Sequence, residues 1–230
     1  MKNNIGNDID LVSGAKGGVG KSLATMGLLD YLRDRKPALL ETDSANPDVG
    51  KSYCSEVSKF AALDLSHDES WIDLANFIEA TDTSVVINAA AGLGSSDSVK
   101  NLGDGLAELQ RDLRVWWVLN TQRDGLNLLK SFLVEVANAE RVKVHVVRNC
   151  FFGKPDDFSL FNGELKGRIL DRGGSVLDFP VLAKRCVDPL YSDRLSIARA
   201  VASFPFGNRL ELQRWRRAVH ELFAKAGVYS

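Results

Sequence analysis

The densest chemistry in the chain lies in one short stretch, Gly14-Ala15-Lys16-Gly17-Gly18-Val19-Gly20-Lys21-Ser22. Its glycines let backbone N–H groups turn inward, through dihedrals that residues with a Cβ resist. Such a ring of N–H groups cradles phosphate oxygens. A helix starting at Lys21 brings the positive end of its dipole to the same point. Lys21 then offers a point charge to β- and γ-phosphates, and Ser22 an oxygen ligand for Mg²⁺. The stretch meets the pattern G-x-x-x-x-G-K-[ST] at Gly20-Lys21-Ser22. Counted strictly, the pattern starts at Ala15, so its first glycine is displaced to Gly14. A plain glycine-rich turn with a solvated lysine is the competing reading. Context outweighs it, because an apolar run leads into the loop and an amphipathic one leads out.

Three further polar positions close apolar runs. Leu40-Glu41-Thr42-Asp43-Ser44-Ala45-Asn46-Pro47-Asp48 places Asp43 at the end of a predicted strand beside the loop, where ligands collect in open α/β sheets. A carboxylate there can accept a hydrogen bond or a proton from water; the alternative is a turn residue. Val86-Ile87-Asn88-Ala89-Ala90-Ala91-Gly92-Leu93-Gly94 ends its strand on a neutral amide whose oxygen still accepts from water. Val144-His145-Val146-Val147-Arg148-Asn149 ends on another, and Phe179-Pro180-Val181-Leu182 closes a later run.

The heptapeptide Lys16-Gly17-Gly18-Val19-Gly20-Lys21-Ser22 resembles the deviant Walker A box of the ParA/MinD/nitrogenase-iron-protein family. The resemblance implies ATP and Mg²⁺ as ligands. It implies a binding set of Gly17, Gly18, Val19, Gly20, Lys21, Ser22 and Leu23, with Lys16, Lys21 and Asp43 in catalysis and Ser22 and Asp43 at the metal. Lys16 would cross a dimer interface to the partner's nucleotide, a cation set in a water-poor interface against developing phosphoryl charge. Glu41 and Asp43 match the family's Asp-x-Asp positions, where Asp43 would orient the attacking water. Asn88 stands where the family has an aspartate and Ala90 where it has a proline, while Ala91 and Gly92 match. That departure implies retained nucleotide binding and slow hydrolysis, since phosphates and waters supply most Mg²⁺ ligands. The run Gly92 to Asp97 would be a γ-phosphate-sensing loop, or a plain loop. Asn149 would read the adenine edge, or be a turn residue, and the Pro180 loop would wrap the base. The matches follow family order over residues 9 to 200.

Positioning these residues requires alternating strands and helices. Strands are predicted at Ile9–Val12, Ala38–Leu40, Ser84–Ile87, Val115–Leu119, Val142–Val147 and Leu177–Val181. Helices are predicted at Ser22–Arg35, Trp71–Ala80, Leu126–Ala139, Asp193–Ala202 and Arg209–Ala226. Nearly continuous apolar strands indicate a parallel sheet buried on both faces. The alternation gives a single α/β domain over residues 1–230: a mostly parallel twisted sheet flanked by helices, in the three-layer P-loop NTPase architecture. The polar, glycine-dotted run from Gly153 to Gly174 reads as an irregular surface segment. Trp116-Trp117 reads as core strand plus one exposed or interface ring.

Composition narrows the function class. The 230 residues are 45% hydrophobic and 26% charged, with net charge −1, so no global basic field points to nucleic acid. Cys54, Cys150 and Cys186 have no CxxC spacing and read as buried thiols in a reducing cytosol. They do not match the paired cysteines of an iron-cluster carrier. Neither a signal peptide nor a membrane span is read, and the expected location is cytoplasmic. Arg209, Arg214, Arg216, Arg217 and Lys225, with Trp215, mark a basic C-terminal helix, either a solvated face or a non-specific DNA surface. The combined expectation is an ATPase that forms a homodimer on ATP binding and drives plasmid partition. Its partner would be a centromere-binding ParB-like or relaxosome protein, with no membrane partner. Two alternatives stay open: an accessory ATPase in conjugative transfer, and a nucleotide-dependent switch with little hydrolysis. With no helix-turn-helix ahead of the loop, autorepression through specific DNA binding is not expected.

Overall fold

The computed structural model describes residues 8–14, 17–43, 47–90, 102 and 105–228. Seven strands form one sheet: β1 (Ile9–Gly14), β2 (Ala38–Glu41), β3 (Phe60–Ala62), β4 (Val85–Asn88), β5 (Leu113–Leu119), β6 (Val142–Asn149) and β7 (Val176–Phe179). Their order is β3-β2-β4-β1-β5-β6-β7, and every pairing is parallel. The first strand thus sits centrally, between β4 and β5. The loop that follows it emerges in mid-sheet, flanked by the ends of its neighbours.

Strand side chains alternate between two cores. Ile9, Leu11, Ile87, Val115, Trp117 and Val146 face one side. There they meet α3 (Asp68–Glu79), α4 (Arg123–Glu135) and α5 (Glu164–Asp171). Val12, Leu39, Val86, Trp116, Val118 and Val147 face the other. That side is covered by α1 (Lys21–Leu32), α2 (Asp48–Tyr53), α6 (Lys184–Ser192), α7 (Ile197–Ser203) and α8 (Phe206–Lys225). The three-layer parallel architecture is as expected.

The helix after the loop runs nearly to its predicted end. After Leu32 it tightens into a 3₁₀ turn, and Lys36 adopts φ 46° just before Pro37, where the α conformation is disfavoured. It lies close against α8: a Cβ on Gly27 would come within 2.9 Å of Val219. Buried Asp30 accepts from Arg216 (2.5 Å) and bonds His220 (2.7 Å) across the same contact. Within β1, Asp10 is fully buried and accepts from Arg114 Nε and Nη2, each at 2.8 Å, and from the Trp116 indole N–H at 2.8 Å, while Arg114 Nη1 donates to Asp8.

Several expectations need correction. The segment Gly153 to Gly174 is not an irregular surface run. It contains α5 and buries Phe158, Phe161, Leu165 and Ile169 in the first core. Both Trp116 and Trp117 are buried, because a strand covered on both faces has no exposed side. The helix predicted from Asp193 starts only at Ile197: Arg194 sits at φ 53°, and the Ser196 side chain accepts from Arg199 N–H as the cap. Strand β3 and helices α2, α5 and α6 were not predicted. Of the thiols, Cys186 is buried, Cys150 half-buried and Cys54 exposed. Among the described residues, no helix is long and apolar enough to cross a membrane.

Candidate functional site

The turn after β1 requires its glycines. Gly18 and Gly20 adopt φ 78° and φ 102°, left-handed conformations that cost about 1–2 kcal/mol with a side chain. At Gly20 space is also closed: a Cβ would lie 2.4 Å from the Asn149 amide nitrogen. At Gly14 a Cβ would lie 2.7 Å from the Val118 carbonyl oxygen. The chain therefore leaves β1 against β5 and turns tightly under the end of β6. Val19 is buried, which anchors the turn in the second core. Helix α1 then opens at Lys21, with Gly20 as its N-cap.

A cavity of about 280 Å³ sits on this turn. Gly17, Gly18, Gly20, Lys21 and Ser22 line it, together with Asp43, Asp48, Asn88, Ala89, Ala90 and Tyr191. The Lys21 side chain is largely buried. Burial lowers its pKa, and the nearby Asp43 carboxylate, which lines the same cavity, raises it. Tyr191, on α6, has its hydroxyl pushed up to about 12 by burial and then by Asp48. A larger cavity of about 510 Å³, between α3 and residues 102–109, has Glu79 and Glu108 as its ionisable lining and lies away from these groups.

The strand ends behind the cavity are tied together. Thr42 N–H donates to the Asn88 carbonyl (3.1 Å), Ala90 N–H to the Thr42 hydroxyl (2.7 Å), and Ala89 N–H to the Val12 carbonyl (3.0 Å). Glu41 is fully buried beside them, and its carboxyl is raised to about 7, chiefly by burial. Bonds from Asn88 and from the backbone of Gly50 and Val49 partly offset that rise.

The structure gathers Gly17, Gly18, Gly20, Lys21, Ser22 and Asp43 around one cavity. Val19 and Leu23 sit behind it, packed toward the second core. Lys16 and the run Gly92 to Asp97 lie outside the described residues. Asn149 borders the loop, but both ends of its amide meet the chain. Its nitrogen donates to the Val19 carbonyl (2.9 Å) and its oxygen accepts from Phe151 N–H (3.1 Å). The Pro180 carbonyl accepts from the Trp215 indole (2.8 Å), tying its loop to α8. On α8, Arg214 pairs with Glu211 and Arg216 with Asp30, while Trp215 is buried. Asp48 and Tyr191 are site residues that the sequence reading missed. No local signal marks Tyr191, whose helix contains Pro189.

The residues suit a nucleotide with its metal. At Gly14 and Gly20 the turn has room only for bare backbone, and a buried lysine, a hydroxyl and a carboxylate share the cavity. Among the described residues, no group of three or more His, Cys, Asp or Glu is placed to hold a metal by itself. A Mg²⁺ ion bound mainly by phosphates and waters asks for no such group.

The sheet order and the glycine loop define the ParA/MinD type of P-loop fold. Three solved structures share it. MinD from Pyrococcus horikoshii, complexed with Mg-ADP, is 13% identical with TM-score 0.61 over 97% of this chain and 99% of that one. A putative plasmid partition protein from Borrelia burgdorferi, bound to AMPPNP, is 14% identical with TM-score 0.60 over 95% and 99%. The Cyanothece McdA(D38A)–ATP complex is 11% identical with TM-score 0.56 over 97% and 98%. In sequence, the chain is 45% identical over 214 residues to Protein MobD of Acidithiobacillus ferrooxidans, covering 90% of this chain and 92% of that protein. The chain belongs to the family of Protein MobD. No protein-family model matches it.

Proposed function

We propose that the chain is an ATPase of the ParA/MinD type. It binds ATP with Mg²⁺ at the Gly17–Ser22 loop, dimerises around the nucleotide, and hydrolyses it slowly to reset the dimer. The observation that carries this reading is the cavity on the glycine turn, lined by buried Lys21 and by Asp43. The loop N–H groups and Lys21 bind and orient the phosphates, and Asp43 holds the attacking water. Ser22 and Asp43 would hold the Mg²⁺, which neutralises phosphate charge when bound. The neutral Asn88 supports slow turnover, because no carboxylate stands at the end of β4. Lys16 reaches the partner's nucleotide, and dimerisation is the switch. Asn149 and the Pro180 loop border the adenine. The ATPase acts in the cytoplasm, and residues 1–230 form one ATPase domain.

The dimer serves DNA movement with a ParB-like or relaxosome protein as stimulator, and non-specific DNA as a further contact. The family link to Protein MobD favours conjugative transfer over plasmid partition as the setting. Phosphate release tests the reading. Wild type should turn over slowly, and Lys16→Ala should bind ATP yet release none. A wild-type rate at the no-protein baseline, with and without DNA, would leave only a nucleotide-dependent switch. Normal turnover in Lys16→Ala would remove the cross-subunit role.

A further inference from the structure

Asn88 and Glu41 are register partners at the ends of β4 and β2. The Asn88 amide nitrogen donates to Glu41 Oε2 at 2.8 Å. The other carboxyl oxygen, Oε1, accepts from Gly50 N–H at 2.9 Å in the first turn of α2. On its far side, Asn88 Oδ1 accepts from the Thr25 hydroxyl at 2.9 Å; that one proton is shared with the Lys21 carbonyl, also at 2.9 Å. Thr25 stands one helical turn after Lys21 on α1. The network therefore joins α2, β2, β4 and α1 behind the cavity that Asn88 lines.

The close approach is built into the chain. A Cβ on Gly50 would meet the Phe60 ring at 2.6 Å and the Glu41 Cγ at 3.4 Å, so only glycine lets its N–H reach the carboxyl unhindered. Glu41 Oε2 accepts from Asn88 and Oε1 from Gly50, and the Val49 backbone N–H bonds the same carboxyl. An asparagine amide has a donor end and an acceptor end, and nothing in its own shape fixes which way it faces. The ionised Glu41 carboxylate offers acceptors only and so fixes it: the donor end turns toward β2, and the oxygen end toward Thr25 on α1.

We propose that Glu41 is a positioning residue that holds the Asn88 amide with its oxygen toward the nucleotide's metal side, in place of a carboxylate at position 88. The proposal rests on the nucleotide-binding reading above. The substitution E41Q leaves one acceptor and one donor at that position. Gly50 N–H claims the acceptor, so the donor faces Asn88 and the Asn88 amide inverts. Its N–H groups then point toward Thr25 and the cavity, where they repel a cation. The double substitution E41Q/N88D restores every bond, because the carboxylate introduced on β4 accepts from the amide introduced on β2 and from Thr25 alike. N88D alone sets two carboxyls against each other, which the buried pair relieves only by binding a proton, so its loss of stability is read above pH 7.

Two measurements on wild type, E41Q, N88D and E41Q/N88D test this. In thermal melts without nucleotide, each single variant should melt roughly 3–8 °C below wild type, the loss of a buried hydrogen bond in a chain of this length. E41Q/N88D should recover most of that loss. Additive losses in the double variant would overturn the pairing, whatever the protein binds. In titrations of ADP with and without Mg²⁺, E41Q should lose about tenfold in affinity with Mg²⁺ and little without it. E41Q/N88D should bind at least as tightly as wild type with Mg²⁺. Equal losses with and without Mg²⁺ would reduce Glu41 to a scaffold residue. Absence of ADP binding by wild type would sink the nucleotide reading, and the melting cycle would still decide whether Glu41 sets the amide.

Discussion

Gly20 meets two constraints at once, a left-handed φ of 102° and a neighbour only 2.4 Å from where a Cβ would stand. Gly17, three residues earlier, meets neither, since a Cβ there finds nothing within 4 Å. Gly20→Ala should therefore lower the melting temperature, through about 1–2 kcal/mol of backbone strain plus displacement of Asn149 from the Val19 carbonyl. Gly17→Ala should change stability by less than about 0.5 kcal/mol. Equal melting of the two variants would contradict this account of the turn. A second residue-scale consequence lies at the far end of the sheet. His145 is buried, stacks on Trp116 at 4.4 Å, and neither ring nitrogen has a partner among the described residues. Burial, then Lys143 and Arg114, hold its pKa down to about 3. The unfolded chain binds a proton there below about pH 6.5 and the folded one does not, so stability should fall as pH drops from 6.5 toward 3. The slope from this residue is at most about 1.4 kcal/mol per pH unit. Denaturant melts of His145→Phe should show a flatter acid limb than wild type; an unchanged limb would place the acid sensitivity elsewhere.

Elements were legible where periodicity and punctuation agreed. Strands β1, β2, β4, β5 and β6 are rich in apolar residues, with single polar breaks such as Asp10, Arg114 and His145, and α1 is bounded by a glycine loop and Pro37. Legibility failed where burial comes from a few large residues in polar surroundings. Phe158 and Phe161 sit among Lys154, Asp156, Asp157 and Asn162, so composition hid a piece of core. Strand β3 has only three residues, none of them buried, and its pairing to β2 is a tertiary fact. Helix α6 contains Pro189 and brings Tyr191 to the cavity, which no local pattern announces. In the site, the loop could be read from residue types alone. The partnership of Glu41 with Asn88 could not, because it depends on the register of strands 47 positions apart. Phe161→Ala tests the correction to the 153–174 segment. A core phenylalanine should cost about 3–5 kcal/mol in a denaturant melt, whereas a surface ring would cost under about 0.5 kcal/mol.

At the scale of the whole molecule, the strand order brings three chain segments far apart in sequence to one opening. The turn after β1 supplies the glycine-lined part. The ends of β2 and β4 supply Asp43 and Asn88, and α6 closes the side with Tyr191. Both cores serve that opening, because each fixes one face of the strands whose ends form it. Membership of the Protein MobD family and the fold shared with the MinD structure stand without depending on any one of these residues. The central claim is that the glycine turn and Lys21 form a working nucleotide site. Calorimetric titration of ATP with Mg²⁺ into wild type and Lys21→Ala tests it most directly. The account predicts saturable binding at one site per chain in wild type and a loss of at least about a hundredfold in the variant, the cost of a charge-assisted contact removed from a buried site. Absence of binding in wild type, or equal affinity in the variant, would contradict it.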